Sequence, residues 1–347
     1  MSAKAFFIIS LFSCVGLWGQ NEVDYKVRSI FFYNVENLFD TINDPSTLDD
    51  SRTPAGKDKW TGKRYSAKLD RITEVLTRFG LKGRPVGPDI IGLCEVENYG
   101  VLQDLINHPR LLPFNYGIIH EDSPDRRGID VGLIFKKNHF SVTAFRSHHL
   151  FLRNEKEEIE YTRDQLVVSG FLDSEEIFLI INHWPSRRGG EKSTKPLRAA
   201  AARLTRKIID SISHIMPDPK IIVMGDFNDN PIDDSIKRVL KTTAIKIDPD
   251  SKTLFNPMED LYSKGIGSLA YRDQWSLFDQ IIVSHNLLSE NDRLYTYWKA
   301  GVYNAGYLIT LRGRFKGYPN RTYAAGVYQG GYSDHLPVYL LLVKKND

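Results

Sequence analysis

The sequence predicts an α/β domain whose core is two β-sheets covered by helices. Short apolar runs rich in β-branched residues, such as Ile221-Ile222-Val223-Met224 and Ile90-Ile91-Gly92-Leu93-Cys94, read as buried strands that stop abruptly at acidic residues. Between two such runs, Leu69, Ile72, Val75, Leu76 and Phe79 follow the spacing of one helical face, with Gly80 as the stop. The strands and helices mix without the regular βαβ rhythm of a nucleotide-binding fold, which favours two packed sheets over one parallel sheet.

The chain has 347 residues, 41% of them hydrophobic and 26% charged, ordinary globular material for one large domain or two small ones. A formal charge of +3 suits a polyanionic substrate but lacks the strong basicity of a dedicated nucleic-acid binder. Residues 1–19 carry Lys4 and then a short apolar core ending before Gln20-Asn21-Glu22. That core is too short to span a bilayer comfortably and reads as a signal peptide, so an exported protein with one domain over 20–347 is expected. Leu11-Phe12-Ser13-Cys14 is a poor lipoprotein box, so lipidation at Cys14 is the minor alternative. Cleavage leaves the single thiol of Cys94, so no intrachain disulfide and no cysteine-based metal site is expected.

Taken in order, Arg28–Tyr33 is a strand running into Asn34-Val35-Glu36-Asn37, and 40–65 is a long surface loop. Ser66–Phe79 is the helix already described, and Asp89–Cys94 a strand ending in Glu95. Val101–Ile106 is a short helix; Asn115–Ile119 and Ile129–Phe135 are strands on either side of a charged loop. Gln165–Leu172 and Glu176–Ile181 form a hairpin about Asp173-Ser174. Pro196–Ile212 is a helix with Pro in its first turn, its Arg198, Arg203, Arg206 and Lys207 a solvated basic face. After the strand at Ile221 come a helix near Asp233–Leu240, a strand over Trp275–Val283, and a last strand over Leu336–Val343. From Asp292 to that strand no clean period is visible.

Collected, the strand ends offer Asn34, Glu36, Glu95, His183, Asp226, Asn228, Asp279, Asp334 and His335. Each alone has a plain explanation as a turn, cap or surface group. Together they supply carboxylates and carboxamides, the donors of hard divalent cations, with two imidazoles and no thiolate. Mg²⁺ or Mn²⁺ is implied, with Ca²⁺ also compatible.

The motifs Tyr33-Asn34-Val35-Glu36-Asn37, Cys94-Glu95, His183, Gly225-Asp226-Phe227-Asn228, Asp279-Gln280 and Ser333-Asp334-His335 resemble, in that order, those of the endonuclease/exonuclease/phosphatase (DNase-I-like) superfamily. The resemblance spans about 30–343. It implies a four-layered α/β sandwich, two facing mixed sheets with helices outside. Glu95, assisted by Glu36 and Asp334, would bind the metal, and Asn34 would steer a phosphate oxygen or a metal-bound water. Asp226 would align and help deprotonate the attacking water while Asn228 donates to a phosphate oxygen. Asp279 would hold His335, either a base or a cationic clamp. His183 resembles the second histidine of the deoxyribonuclease and sphingomyelinase branches, an acid for the leaving oxygen, with Asp130 as its orienting partner. Arg163 resembles a phosphate-contacting arginine of the deoxyribonucleases; a plain surface arginine is the competing reading. Glu36 departs from the Asp of several branches, and a long aromatic and basic insertion separates Asp279 from Asp334, including Arg312, Arg314, Lys316, Tyr318, Arg321 and Tyr323.

The expected activity is metal-dependent phosphodiester hydrolysis of nucleic acid by a monomer with no stable protein partner. A sphingomyelinase-like or small-molecule phosphoesterase is the first alternative, and an idle binding module the second.

Overall fold

The computed structural model describes residues 24–81, 84–153, 157–246 and 252–346. The expected signal peptide and Cys14 lie outside them. In chain order the main elements are β1 (Tyr25–Leu38), α1 (Gly62–Arg78), β2 (Ile90–Val96), α2 (Tyr99–Asn107), β3 (Tyr116–His120), β4 (Asp130–Lys136), β5 (Phe140–His148), β6 (Gln165–Leu172) and β7 (Glu175–His183). They continue with α3 (Glu191–Ile215), β8 (Ile221–Asp226), β9 (Thr242–Thr243), β10 (Leu254–Phe255), β11 (Asp279–Val283), β12 (Thr296–Val302) and β13 (Val338–Lys345).

The strands form a six-stranded sheet ordered β12-β13-β1-β2-β4-β3 and a seven-stranded sheet ordered β9-β10-β11-β8-β7-β6-β5. Both are mixed: β1 runs parallel to β2 but antiparallel to β13, and β8 parallel to β7 but antiparallel to β11. Side chains alternate across each sheet with period two. Ile30, Phe32, Ile90, Ile181, Ile222, Met224 and Ile281 fill the space between the sheets. Their neighbours Phe31, Tyr33 and Ile91 pack outward with Leu69, Ile72, Val75 and Leu102 of α1 and α2. Ile180, Ile221 and Val223 pack outward with Ala201, Ala202, Ile208 and Ile209 of α3. The four-layered sandwich follows from this parity.

Several elements differ from the sequence reading. Helix α3 starts at Glu191, so Pro196 is its sixth residue. A turn from Arg187 to Gly190 and the bond from Thr194 Oγ1 to Gly190 O (2.7 Å) open the helix earlier. The run Trp275–Val283 is broken: Gln274–Ser276 pairs with Leu269–Tyr271 in a separate hairpin, and β11 begins at Asp279. Strand β12 fell in the stretch without period, because as an edge strand it pairs only with β13 and leaves Trp298 and Lys299 exposed. The helix near 233–240 is a five-residue π turn, Ser235–Val239.

The basic face of α3 is only partly solvated. Arg203 and Lys207 are exposed, but Arg198 is fully buried with its Nε 2.7 Å from Asp229 Oδ1. Asp229 also receives Arg187 Nη2 (2.9 Å) and the Ser235 hydroxyl (2.6 Å). This network fixes the turn that follows β8. Removing Asp229 would leave a buried guanidinium unpaired, a loss of about 3–5 kcal/mol. Urea unfolding of Asp229→Ala should show a fall of that size, whereas Arg203→Ala, on the exposed face, should stay within about 0.5 kcal/mol of wild type.

Candidate active site

The inter-sheet parity does not stop where the apolar residues stop. Continuing each inward-facing series by two residues gives Asn34 after Phe32, His183 after Ile181, Asp226 after Met224, and Asp279 before Ile281. Four polar side chains therefore meet at one edge of the sandwich, each held by an ordered strand. Registers align them: His183 pairs with Asp226 across β7 and β8, and Asp226 with Asp279 across β8 and β11. Gly225 makes the first pairing fit, because a Cβ there would lie 2.5 Å from Asn182 O.

Asp226 is the hub. Its Oδ2 accepts Asn34 Nδ2 (3.1 Å) and lies 3.7 Å from His183 Nε2 and 3.9 Å from His335 Nε2, while Oδ1 accepts the Asn228 backbone N–H (2.9 Å). Burial pushes its pKa up to about 7; His335 opposes that rise and Asp279 adds to it. His335 Nδ1 is 2.6 Å from Asp279 Oδ2, which also accepts the Ser268 hydroxyl (2.5 Å). Burial disfavours charge on this ring, but attraction to Asp279, its hydrogen bond, and the charges of Asp226 and Asp334 together hold the pKa well above the usual histidine value. His335 is therefore a cation beside Asp226.

The acidic ligand candidates come from two bulges. The register of β1 against β2 shifts between Asn34 and Leu38, and that of β2 against β4 between Cys94 and Val96. Glu36 and Glu95 occupy those bulges at φ 51° and 61°, in the left-handed region, as does Asn228 at 50°. For non-glycine residues this costs about 1–3 kcal/mol each and clusters at functional sites. Burial, then repulsion from Asp334, raises Glu36 to about 7 against the pull of Lys68. Burial would raise Asp334 too, but His335 and Arg321 hold it below its usual value. Arg321 Nη2 bonds Asp334 Oδ2 and its Nε is 4.0 Å from Glu36 Oε1; the backbone N–H groups of Thr322 and Tyr323 donate to Glu36 at 2.6 and 3.2 Å. Glu95 Oε2 accepts only the Asn37 N–H (3.0 Å) among these contacts.

Sequence reasoning missed Lys68. Its ammonium is buried beneath the carboxylates, donating to Thr322 Oγ1 (2.5 Å) and Tyr332 O (2.7 Å). Burial lowers its pKa to about 8, with Glu36, Asp334 and Glu95 opposing. The signal was present: Lys68 stands in the apolar stripe with Tyr65, Leu69 and Ile72, where a charge has no reason to be unless paired.

Two expected roles meet other geometry. Asp130 does not orient His183: its Oδ2 faces His120 Nε2 (3.2 Å) and its Oδ1 accepts the Ser123 hydroxyl. Strand β4 begins at Asp130 in the six-stranded sheet and delivers the carboxylate toward the end of its neighbour β3, where His120 stands. Arg163 is buried rather than at the surface, with Nη1 on Asp125 Oδ2 (3.0 Å) and Nη2 on Trp184 O (2.6 Å). The Trp184 carbonyl also accepts Asn228 Nδ2 (3.0 Å), so Arg163 braces the loop that carries Asn228. Burial, helped by Arg163 and Arg127, lowers the His183 pKa well below its usual value, making it a neutral hydrogen-bonding group.

The donor chemistry fits a hard divalent ion. Glu36, Glu95 and Asp334 are the anions acting on Lys68 and bring no thiolate, and the first and last repel each other enough to need cationic neighbours. A carboxylate–histidine cluster at one strand edge of a two-sheet sandwich suits the hydrolysis of phosphate esters. The comparisons agree. The endonuclease/exonuclease/phosphatase family matches residues 29–344, and the chain belongs to that family, whose members hydrolyse phosphate esters. The fold is similar to D. rerio TDP2 in complex with a single-stranded DNA product (14% identity, TM-score 0.54, covering 91% of this chain and 98% of that one). It is similar also to an endonuclease/exonuclease/phosphatase family protein of Bacteroides thetaiotaomicron (16%, 0.53, 93% and 97%). A mannosyl-6-phosphatase from the same species has 17% identity, TM-score 0.52, and coverage of 91% and 99%. No curated protein matches the chain.

Loss of Lys68 should expose the repulsion it balances. Lys68→Met should lower stability by about 3 kcal/mol in metal-free buffer, and Mg²⁺ should raise the melting temperature of the variant more than that of wild type. Equal Mg²⁺ shifts in the two proteins would separate Lys68 from the metal-binding carboxylates.

Proposed function

We propose that the protein is an exported, divalent-metal-dependent endonuclease that hydrolyses phosphodiester bonds by attack of water. The observation that carries the hydrolytic reading is Asp226 at the meeting point of Asn34, His183, Asn228 and His335. Glu36, Glu95 and Asp334 would hold Mg²⁺, Mn²⁺ or Ca²⁺, which when bound neutralises charge on the scissile phosphate. Asp226 orients the water and takes its proton, assisted by the Asn34 amide on the same oxygen. His335, kept cationic by Asp279, faces the charge that develops on the phosphate. Asn228 closes the site from the β8 side, and neutral His183 stands beside Asp226 with Nε2 3.7 Å from its Oδ2.

Nucleic acid is favoured by the rim on the His335 side. The hairpin Leu269–Ser276 bridges to His335 through Leu269 and exposes Tyr271, Arg272 and Trp275. Tyr318 ties it to the inserted segment by donating to Asp273 Oδ1 (2.5 Å), and Arg312, Arg314 and Lys316 lie in that segment. Cations for phosphates beside aromatic faces for bases are what single-stranded nucleic acid requires. The opposite side supports a second reading. Phe151, Ile159 and Tyr161 are exposed on the chain leading into Arg163, an apolar edge suited to a phospholipid.

Plasmid DNA, sphingomyelin and sugar monophosphates should be offered to the mature protein with Mg²⁺ or Mn²⁺, then with EDTA. Nicking that EDTA and His335→Ala abolish is the expected result; turnover of lipid or sugar phosphate alone would replace the nuclease reading. Asp226→Asn should lower the rate by several orders of magnitude, about 10³-fold or more; an unchanged rate would sink the hydrolytic assignment.

The Asp226–His335 pair also sets the pH dependence. Below about pH 7 Asp226 is protonated and cannot accept a proton, so kcat/KM should rise with pH through that value. His335, with its pKa raised, stays cationic through this range, so activity should fall only at alkaline pH. A profile flat from pH 5 to 8 would contradict the assignment.

A further inference from the structure

Cys94 is the free thiol of the described residues and is fully buried. Its strand position explains its company. On β2 the inward series runs Ile90, Gly92, Cys94, so the thiol projects between the sheets at the depth where β7 and β8 present His183 and Asp226. The Cys94 sulfur, a ring nitrogen of His183 and a carboxylate oxygen of Asp226 all lie within 4.8 Å of one another. The His183 side chain is 3% exposed, and neither ring nitrogen makes a hydrogen bond: Nε2 faces Asp226 at 3.7 Å, too far for one, and Nδ1 has no partner. A buried imidazole nitrogen without a partner is unusual for a structural histidine.

We propose that Cys94, His183 and Asp226 form an inhibitory site for a thiophilic divalent ion, Zn²⁺ or Cd²⁺, inside the hydrolytic centre. A sulfur, an imidazole nitrogen and a carboxylate oxygen are a zinc donor set, whereas Mg²⁺ takes oxygen alone. Bond lengths of about 2.3 Å to sulfur and about 2.0–2.2 Å to nitrogen and oxygen require the three donors, now within 4.8 Å of one another, to close on the ion by side-chain rotation. Binding replaces the S–H bond with a metal–sulfur bond and releases the proton to solvent, with no change of oxidation state. Three protein ligands leave a fourth position for water. The site is distinct from the oxygen set of Glu36, Glu95 and Asp334, so Mg²⁺ and the thiophilic ion need not displace each other. Asp226 would be withdrawn from the water it orients. That inhibitory consequence rests on the hydrolytic reading above; the metal site itself does not.

The test uses the mature protein in excess Mg²⁺, titrated with Cd²⁺ and with Zn²⁺. One equivalent of Cd²⁺ should produce a thiolate-to-metal charge-transfer absorption, and X-ray absorption of the Zn²⁺ form should show one sulfur at about 2.3 Å. Cys94→Ala should lose the absorption, keep Mg²⁺-supported turnover, and need on the order of 10–100-fold more Zn²⁺ for inhibition; Cys94→Ser serves where alanine fails to fold. A Zn²⁺ form of the wild type with only nitrogen and oxygen neighbours overturns the site whatever the variants do. So does a Cys94 variant as Zn²⁺-sensitive as wild type. The absorption and X-ray measurements need no substrate: a sulfur-bound metal in a protein that turns over no ester would reject the hydrolytic reading and keep the site, and the reverse pattern would reject only the site.

Discussion

The constraint on which the rest of the molecule depends is the burial of opposed charges where the space between the sheets runs out of apolar residues. Two facing sheets supply alternating positions at fixed spacing, and the inward series passes without a break from Phe32 to Asn34, Ile181 to His183 and Met224 to Asp226. Such groups are costly in a low-dielectric edge unless each finds a partner. The structure answers with pairs: Asp279 with His335, Asp334 with Arg321, and Lys68 beneath the carboxylates. His335 and Lys68 are buried with the anions they balance, whereas Arg321 reaches a half-buried Asp334 from the rim.

Local strain and the charge network reinforce each other. The bulges at Glu36 and Glu95 hold left-handed backbone in residues that carry a Cβ, a cost tolerated because the flanking ladders are long and fully buried. The bulged conformation then turns a carboxylate that regular pleating would have sent elsewhere. At Asn228 the same device follows a strand end, and Trp184 and Arg163 lock the loop from behind. The glycine at 225 belongs to this logic: close approach of β7 and β8 is what brings His183 beside Asp226.

Much of this was legible in the sequence because period-two apolar runs and abrupt acidic stops are local signals. Ile221–Met224 followed by Gly225-Asp226 carries both, and so does Ile90–Cys94 before Glu95. What could not be read is what depends on long-range pairing. Whether Asp130 meets His183 or His120 turns on the order of strands within a sheet, and an acidic residue at the start of a strand is compatible with either. Arg198 reads as one of several surface cations, although it shares a helical stripe with Ala201, Ala202 and Thr205, and its burial depends on Asp229, a partner distant in sequence. Lys68 likewise depends on partners from the far end of the chain, Thr322 and Tyr332. Strand β12 was invisible for a different reason, since an edge strand with one partner has a weak alternation.

The insertion between Asp279 and Asp334 serves both the acidic cluster and the edge of the sandwich beside it. Thr322 and Tyr323 hold Glu36 through their backbone, Arg321 pairs with Asp334, and Tyr318 anchors the hairpin beside His335. The segment is thus a wall of the acidic cluster and a rim of the opening at once. Its inner side works through backbone N–H groups and one guanidinium, which balance charge. Its outer side carries cations and aromatic rings, which can vary without disturbing the carboxylates. Separation of those two tasks along one segment would let the rim vary while the backbone and guanidinium that balance the carboxylates stay fixed.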